Sequence, residues 1–129
     1  MACGAVLAIG MDLCGVTRME KAIAKEHFLA RVFTQEERAH IAERTGRTAA
    51  ERAAAYFAAK EAAAKALGTG FSSGVMPEQI GVAYESGGRP YLQLSGAAEE
   101  KLRELGGKEI LLSLSHEEGM AAAFAVLVG

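Results

Sequence analysis

Five segments of the chain carry the hydrophobic patterns of β-strands. They are Ala5–Leu13, Ile80–Glu85, Tyr91–Leu94, Glu109–Ser115 and Met120–Val128. The first is a continuous apolar run with β-branched residues, which is typical of a central strand. Residues 86–90 have the composition of a turn, so the two strands around them are predicted to pair as a hairpin. Residues 116–119 form a second predicted turn, between the last two strands.

Helix starts are predicted from capping boxes, in which a Thr and a Glu three residues later satisfy backbone N–H groups. Three pairs have this spacing: Thr17 with Glu20, Thr34 with Glu37, and Thr48 with Glu51. They predict a short first helix, a second from Gln35 to about Arg44, and a long third helix that ends at about Leu67. Ser95 is predicted to cap a further helix through about Leu105. Gly68 follows the long helix as its C-terminal cap.

Together these elements predict an α+β fold, with an antiparallel sheet packed against one long helix and several short ones. The long helix is rich in alanine, which has a high helix propensity and a small cross-section, so it can approach a sheet closely. The chain has 129 residues and shows no linker, repeat or low-complexity segment. We therefore expect one domain spanning residues 1–129.

Composition and charge exclude several classes of protein. Half of the residues are hydrophobic and the formal net charge is -2, which argues against a general nucleic-acid-binding protein. Cys3 and Cys14 have no CxxC spacing, so a disulfide scaffold and a zinc ribbon are both disfavoured. We expect both to be buried apolar residues in a reducing compartment. The apolar segment Ala2–Met11 is too short for a bilayer and lacks the positive flank of a signal peptide, which favours the cytoplasm without membrane contact.

One helical face and one strand end supply the candidate chemistry. Phe57, Glu61 and Lys65 are four residues apart, so they project from one face of the long helix, and Phe57 should face the core. Glu61 could share a cation such as Mg²⁺ with Asp12, at the end of the first strand, while Lys65 contacts a phosphate. The alternatives are that Asp12 caps a turn and that Glu61 and Lys65 form only an intrahelical salt bridge. Lys60 lies one position off this face and is expected to be exposed.

Two further motifs are less specific. Gly68, Thr69 and Gly70 fit either a helix C-cap alone or a turn that lets a ligand approach the backbone. They are not a P-loop, because the glycines end a helix rather than begin one. Ser115 and His116 are rejected as nucleophile and base, because adjacent strand residues point to opposite faces. His116 is then either a solvated turn residue or a contact for an anion.

A basic cluster lies on and after the first short helix. Its members are Arg18, Lys21, Lys25 and Arg31. Acidic residues are interspersed with them, so one interpretation is an ordinary charged face. The other is a docking surface for an acidic partner, whose association would be accelerated by electrostatic steering.

Four motifs occur in order along the chain. They are Ile9-Gly10-Met11-Asp12-Leu13, Phe57-Ala58-Ala59-Lys60-Glu61-Ala62 with Lys65-Ala66-Leu67-Gly68-Thr69-Gly70, Gly88-Arg89-Pro90, and Leu114-Ser115-His116 with Ala121-Ala122-Ala123. Their order and spacing over essentially the whole chain resemble the holo-acyl-carrier-protein synthase family. The motif on the long helix is the specific part of this resemblance.

The resemblance implies a 4′-phosphopantetheinyl transferase-like fold and a Mg²⁺-dependent transferase. Such an enzyme moves the 4′-phosphopantetheine arm of coenzyme A to a serine hydroxyl of apo acyl carrier protein and releases adenosine 3′,5′-bisphosphate, in support of fatty acid biosynthesis. Either Glu61 or a metal-bound water would accept the serine proton. The resemblance also implies a homotrimer with its sites between neighbouring subunits.

The family's site residues correspond to named positions of this chain. Asp12 and Glu61 match its metal ligands, and Lys65 matches the lysine near the coenzyme A phosphates. The turn that borders the cofactor corresponds to Gly68, Thr69 and Gly70. The nucleotide site corresponds to Arg89, Pro90 and His116. Arg18 matches a basic residue that meets the acidic carrier, and Lys21 and Lys25 continue that surface.

One position departs from the family pattern. The family often has an arginine just before the Phe of the long motif, where it helps to hold a phosphate of coenzyme A, and this chain has Tyr56 there. The replacement would be Arg52 from one turn earlier, or Arg89 or Lys108 from a neighbouring subunit. Two other classes of function are a non-catalytic coenzyme-binding module and a structural trimer subunit, but neither explains four motifs in this order.

Overall fold

Five strands form two antiparallel sheets in the computed structural model, which describes residues 4–129. They are β1 (Val6–Gly15), β2 (Ile80–Tyr84), β3 (Pro90–Leu94), β4 (Glu109–Glu117) and β5 (Met120–Val128). The larger sheet has the order β1-β5-β4, so β1 and β4 are its edges, and the smaller sheet is the β2-β3 hairpin. The predicted hairpin and the antiparallel α+β class are confirmed, although the strands are divided between two sheets.

Within residues 4–129, five α-helices accompany the sheets. They are α1 (Val16–Ile23), α2 (Glu26–Val32), α3 (Gln35–Ala42), α4 (Gly46–Leu67) and α5 (Gly96–Glu104). The long helix α4 covers one face of the larger sheet, where it packs mainly on β1 and β5, and α1, α3 and α5 also contact it. Its alanines are largely buried, as their small cross-section predicts.

A glycine in β1 determines how closely this strand approaches α4. A Cβ atom on Gly10 would lie 2.0 Å from the backbone oxygen of Ala62 and 2.8 Å from the backbone nitrogen of Ala66. Only glycine therefore fits at this crossing. Asp12 is two residues further along β1, so it lies on the same face of the sheet, beside α4.

Local capping signals are confirmed at two helix ends. Thr34 and Glu37 form the predicted capping box at the start of α3, in which each side chain accepts a hydrogen bond from the other residue's backbone N–H. Gly68 ends α4 with a φ of 82°, a left-handed conformation that glycine adopts without strain.

The predicted cap at Thr17 is wrong. The N-cap of α1 is Gly15, two residues earlier, and it makes no side-chain hydrogen bond. The Thr17 hydroxyl instead accepts a hydrogen bond of 2.8 Å from Nη1 of Arg47, at the start of α4. A tertiary contact has replaced the local cap.

Other elements also differ from the prediction. Helix α4 begins before Thr48, whose hydroxyl donates to the backbone oxygen of Thr45 instead of capping the helix. Helix α2 was not predicted, because its N-cap, Lys25, makes no side-chain capping bond that a sequence pattern would reveal. Strand β4 continues to Glu117, so His116 belongs to a strand and not to the predicted turn.

The core lies between α4, the larger sheet and the surrounding helices. Cys14 is buried there as predicted, whereas Cys3 lies outside the described residues. Phe57 is half-buried and packs against this core, with its ring next to that of Phe28. Within residues 4–129, every helix is too short or too polar to cross a bilayer.

Candidate functional site

Asp12 and Lys65 meet where β1 crosses the C-terminal part of α4. Nζ of Lys65 donates hydrogen bonds to the backbone oxygen of Met11 at 2.9 Å and to Oδ1 of Asp12 at 3.1 Å. The ion pair that Lys65 forms is therefore with Asp12, 53 residues away in the chain. Among residues 4–129, no salt bridge involves Glu61, so the intrahelical Glu61–Lys65 alternative is not what the structure contains.

Glu61 lies close enough to Asp12 for the two charges to interact. Burial raises the pKa of Glu61, and the negative charge of Asp12 raises it further, while the charges of Lys65 and Arg18 oppose the rise. Burial also raises the pKa of the neighbouring Cys14 thiol. We refer to Asp12 and Glu61 as the acid pair.

The acid pair has the donor chemistry of a hard divalent cation. Carboxylate oxygens are the ligands that Mg²⁺ prefers, and a cation between two repelling carboxylates would favour their ionised forms. In the described part of the chain, no group of three or more His, Cys, Asp or Glu residues has the arrangement of a metal site. Two protein carboxylates fit Mg²⁺, which usually keeps several waters and binds substrate phosphates.

The Gly68-Thr69-Gly70 turn directly follows the helical face that carries the acid pair's glutamate. The backbone nitrogens of Thr69 and Gly70 both donate to the backbone oxygen of Ala64, at 3.3 and 3.1 Å. Gly68 and Gly70 have φ values of 82° and 56°, which explains both glycines by conformation. The turn is thereby fixed one helical turn beyond Lys65.

A cavity lies at the edge of the larger sheet opposite the acid pair. It has a volume of about 480 Å³ and its lining residues are His40, Arg44, Glu51, Arg52, Ala55, Tyr84 and His116. We call it the basic cavity. Nη1 of Arg52 donates to the backbone oxygen of His40 at 2.6 Å, which holds the guanidinium group in the cavity wall.

Tyr56 is buried beneath the basic cavity, with 1% of its surface exposed. Its hydroxyl hydrogen-bonds Nδ1 of His40, and its ring stacks on the His40 ring. Burial lowers the pKa of His40, and the charge of Arg52 lowers it further. Tyr56 is thus a support for His40, and the cations that line the cavity are Arg52 and Arg44.

The acid pair and the basic cavity lie on different sides of α4. Arg52 and Glu61 are nine residues apart, which places them half a turn from each other around the helix axis. Asp12 is on the edge strand β1, whereas His116 is on the opposite edge strand, β4. The structure therefore brings Asp12, Glu61 and Lys65 together within one chain but leaves His116 apart from them.

The remaining predicted nucleotide-site residues are also separate from the acid pair. Arg89 is exposed in the β2-β3 turn, where its backbone oxygen accepts a hydrogen bond from Glu85, and Pro90 begins β3. Ser115 and His116 are both exposed on β4, and among the hydrogen bonds of residues 4–129 none joins their side chains. The rejection of a serine–histidine dyad agrees with this arrangement.

A groove with basic edges lies between α2 and the segment before β2. It has a volume of about 400 Å³ and is lined by Lys25, His27, Phe28, Arg31, Val32, Met76 and Pro77. We call it the basic groove. Arg18 and Lys21 are exposed on the neighbouring α1, and within residues 4–129 no salt bridge involves these two or Lys25. Glu20, which lies among them, pairs with Arg47 at 3.6 Å, so its charge is partly neutralised.

Lys60 is completely buried, so the prediction that it is exposed was wrong. Its Nζ lies 2.7 Å from Oε1 of Glu37, which is also buried. Nζ also donates to the backbone oxygens of Ile80 at 2.8 Å and Pro77 at 3.0 Å. The helical spacing indicated which face Lys60 is on, but not that α3 and the segment before β2 cover that face.

The outer face of the larger sheet is apolar and exposed. Side chains that point away from α4 include Ile9, Met11, Leu13, Leu111 and Phe124, of which Ile9 is 60% and Phe124 42% exposed. Met11 and Phe124 are opposite each other in the β1-β5 pair. We call these five residues the outer apolar face. Contiguous exposed apolar surface of this kind marks an interaction site.

Comparisons with known proteins match nearly the whole chain. Residues 8–125 match the family model described as the 4′-phosphopantetheinyl transferase superfamily. A holo-[acyl-carrier-protein] synthase of Gluconobacter oxydans (strain 621H) is 44% identical over 128 residues, which cover 95% of this chain and 82% of that protein.

Two similar solved structures contain a coenzyme. The holo-(acyl-carrier-protein) synthase from Bacillus anthracis str. Ames in complex with CoA (3′,5′-ADP) has a TM-score of 0.81 and 32% identity, over 96% of this chain and 97% of that one. The Helicobacter pylori holo-[acyl-carrier-protein] synthase in complex with coenzyme A has a TM-score of 0.79 and 28% identity, over 92% of this chain and 98% of that one.

Proposed function

Because this chain belongs to the 4′-phosphopantetheinyl transferase superfamily, we propose that it transfers 4′-phosphopantetheine from coenzyme A to a serine of apo acyl carrier protein. The observation that carries this proposal is the convergence of Asp12, Glu61 and Lys65 where β1 crosses α4. Two carboxylates and an exposed ammonium group are suited to a pyrophosphate bond, and they are less suited to acyl or hydride transfer.

In this reaction the serine oxygen attacks the β-phosphorus of coenzyme A. The bond between that phosphorus and the bridging oxygen breaks, and adenosine 3′,5′-bisphosphate leaves with the bonding electrons. Glu61 would accept the serine proton through a carboxylate lone pair that a bound cation does not use. Lys65 stabilises the negative charge that develops on the leaving phosphate. The nucleophile comes from the carrier, so no catalytic serine is required of this chain.

Asp12 and Glu61 would together hold the Mg²⁺ ion, because carboxylates are its preferred ligands and the ion would relieve the repulsion between them. When bound, the ion supplies charge neutralisation at the pyrophosphate oxygens. Gly68, Thr69 and Gly70 would border the coenzyme beside Lys65, because the turn is fixed directly after that helical face.

We assign the 3′-phosphate end of coenzyme A to the basic cavity. Arg52 and His116 both line it, and Arg52 is held in place by the His40 backbone oxygen. Arg52 would therefore take the role of the arginine that family members often carry at the position of Tyr56. Arg89 and Pro90, in the nearby hairpin turn, would complete the nucleotide contacts.

The two halves of this site belong to different subunits in our proposal. The acid pair is beside the edge strand β1, and the basic cavity is beside the opposite edge strand β4. A homotrimer that buries the outer apolar face would bring the acid pair of one subunit to the basic cavity of the next. The exposure of Ile9, Met11 and Phe124 supports an assembly that covers this face.

The carrier protein would dock on Arg18, Lys21 and the basic groove. These cations have no salt-bridge partner within residues 4–129, and the groove floor is apolar, with Phe28 and Val32 among its lining residues. An acidic helix with apolar residues on one face matches both properties.

A single domain and a cytoplasmic location are part of the same proposal. The buried hydrophobic residues form one cluster that joins the sheets and helices, which supports one domain over residues 1–129. The buried Cys14 thiol supports a reducing compartment.

Intact-mass spectrometry of an apo carrier protein tests the proposed reaction. The carrier is incubated with this protein, coenzyme A and Mg²⁺, and we expect it to gain the mass of one phosphopantetheine. The same mixture with EDTA in excess of Mg²⁺ should show no gain. Binding of coenzyme A without any mass gain would instead favour a non-catalytic coenzyme-binding module, and binding of neither would favour a structural subunit.

A further inference from the structure

We propose that the buried Lys60–Glu37 pair is a positioning device that fixes the two walls of the basic groove and so tunes the affinity for the carrier. This inference rests on the proposed function, because it assigns a cause to the shape of the surface on which the carrier docks. Both side chains are buried, so they are positioning residues and not catalytic ones.

The pair joins four parts of the chain through a complete set of hydrogen bonds. Lys60 Nζ contacts Glu37 Oε1 at 2.7 Å and the backbone oxygens of Ile80 and Pro77 at 2.8 and 3.0 Å. Glu37 Oε2 accepts from the backbone nitrogen of Val82 at 2.6 Å, and its Oε1 accepts from that of Thr34 at 2.9 Å. All three donors of the ammonium group are therefore used.

One wall of the groove is held directly by these bonds. Pro77 lines the groove next to Met76, and its backbone oxygen is a partner of Lys60. Because the ammonium group also binds Ile80, the short 3-10 turn Pro77–Gln79 is held at both ends. Lys60 thus links this turn to α4 at two points.

The other wall is reached through Phe33. This residue is the C-cap of α2, the helix that supplies Phe28, Arg31 and Val32 to the groove. Its ring centroid lies 5.8 Å from Lys60 Nζ, which is within the range of a cation–π contact. Lys60 therefore contacts the structural supports of both walls.

Stability alone does not explain an ion pair in this place. Replacing a buried ion pair by apolar residues of similar volume is often neutral or stabilising, because the two charges must give up their hydration. Apolar residues, however, could not bind the oxygens of Pro77 and Ile80 or the nitrogen of Val82 with a defined direction. The pair accordingly determines position more than it determines free energy.

The test compares Lys60→Met, the double variant Glu37→Gln/Lys60→Met, and Leu102→Ala as a control. Lys60→Met leaves Glu37 as an uncompensated buried charge, so it should lower the melting temperature. The double variant removes that charge and should recover most of the loss, while Pro77 and Ile80 still lack their donor. Leu102 is buried in α5 and does not line the groove, and its truncation lowers stability while every hydrogen bond of Lys60 and Glu37 is kept.

We measure steady-state constants for both substrates and hydrogen exchange at residues 76–82, well below each melting temperature. For both Lys60 variants we expect the KM for the carrier to rise about tenfold or more, since small displacements of positioning groups have effects of this size. The KM for coenzyme A should change less than about twofold, because the variants leave the residues of the proposed coenzyme site unchanged. Exchange at Val82 should accelerate.

Two results would overturn the inference. One is a double variant with the wild-type KM for the carrier, and the other is a Leu102→Ala variant whose carrier KM rises as much as that of Lys60→Met. A failure of the proposed function would look different, because the wild-type protein would then neither modify nor bind an apo carrier.

Discussion

At the scale of single residues, the site depends on a few charges held near one another in a partly buried place. Lys65 forms an ion pair with Asp12. Glu61 forms no salt bridge among residues 4–129, and the negative charge of Asp12 repels its carboxylate. Burial and the charge of Asp12 raise the pKa of Glu61, and a cation bound between the two carboxylates would oppose that rise.

Replacement of Glu61 by glutamine should abolish most transfer while the fold survives. Removing a general base costs about 100-fold or more in rate, and the loss of a metal ligand adds to that. Stability should not fall, because the ionised Glu61 is repelled by Asp12. We would measure kcat with the carrier-mass assay and unfolding in urea, with the exposed Glu100→Gln as the control. Unchanged turnover would refute the role of Glu61.

The His40–Tyr56 pair predicts a pH dependence of stability. Burial and Arg52 lower the pKa of His40 below its ordinary value of 6.5, so the folded state favours the neutral ring. The unfolded chain therefore binds the proton more readily, and stability is complete above pH 6.5 and is lost as the pH falls below it.

This expectation is checked by urea unfolding at about pH 7.5, 6.0 and 5.0, values that lie above and below the ordinary histidine pKa. The variant His40→Gln keeps an acceptor for the Tyr56 hydroxyl but does not titrate. It should lose less free energy of unfolding than the wild type over this range. Parallel curves for the two proteins would contradict the assignment.

At the scale of elements, the crossing of β1 and α4 brings distant residues to one place. Gly10 allows the strand to approach the helix backbone, and Asp12 then lies beside Lys65. The geometry of the acid pair is therefore a property of how these two elements pack and not of either element alone.

Gly10→Ala should separate these two elements. The new methyl group would overlap the backbone oxygen of Ala62, and overpacking of this kind costs about 1–3 kcal/mol of unfolding free energy. We expect the transfer rate to fall as well, even under conditions in which the variant is fully folded. Gly15→Ala is the matched control in the same strand, because its nearest neighbour would be Met120 Sδ at 3.9 Å. Equal rates for both variants would show that the crossing is not critical.

The surface of α1 predicts how the carrier is recognised. Arg18→Glu should raise the KM for the carrier about tenfold, because it places a repulsive charge where an acidic partner approaches. The KM for coenzyme A should stay nearly constant, and added salt should weaken the wild-type association. Arg103→Glu, on the exposed side of α5, is the control. If both constants changed together, the docking assignment would be wrong.

At the scale of the whole molecule, one chain contains both halves of the proposed site but holds them apart. The acid pair and the basic cavity are beside opposite edges of the larger sheet, and the outer apolar face is exposed between those edges. An assembly of identical chains would satisfy both observations together.

Phe124→Asp should therefore dissociate the assembly and remove activity. The substitution places a charge in the centre of the outer apolar face, opposite Met11, where burial would be costly. Sedimentation equilibrium should give the mass of three chains for the wild type and of one chain for the variant. Leu105→Asp, an exposed apolar position at the end of α5, should keep the wild-type mass. A wild type with the mass of one chain would refute the trimer.

The sequence by itself determined several features that depend on near neighbours, although the predicted caps at Thr17 and Thr48 were wrong. The spacing of Glu61 and Lys65 predicted that they share one helical face. Thr34 and Glu37 predicted a capping box, and Gly68 predicted the end of α4. These signals are local because helix geometry and capping bonds act within about one turn. The order of four motifs also indicated the family, which the comparisons confirmed.

Only the tertiary structure decided the contacts between distant segments. In it, Lys65 pairs with Asp12 and Lys60 is buried against Glu37. The Thr17 hydroxyl accepts a hydrogen bond from Arg47 instead of capping its own helix. The physical reason is that a side chain's partner and burial depend on which element packs over it, and packing is a property of the whole chain. The same packing leaves the acid pair and the basic cavity at opposite edges of one sheet.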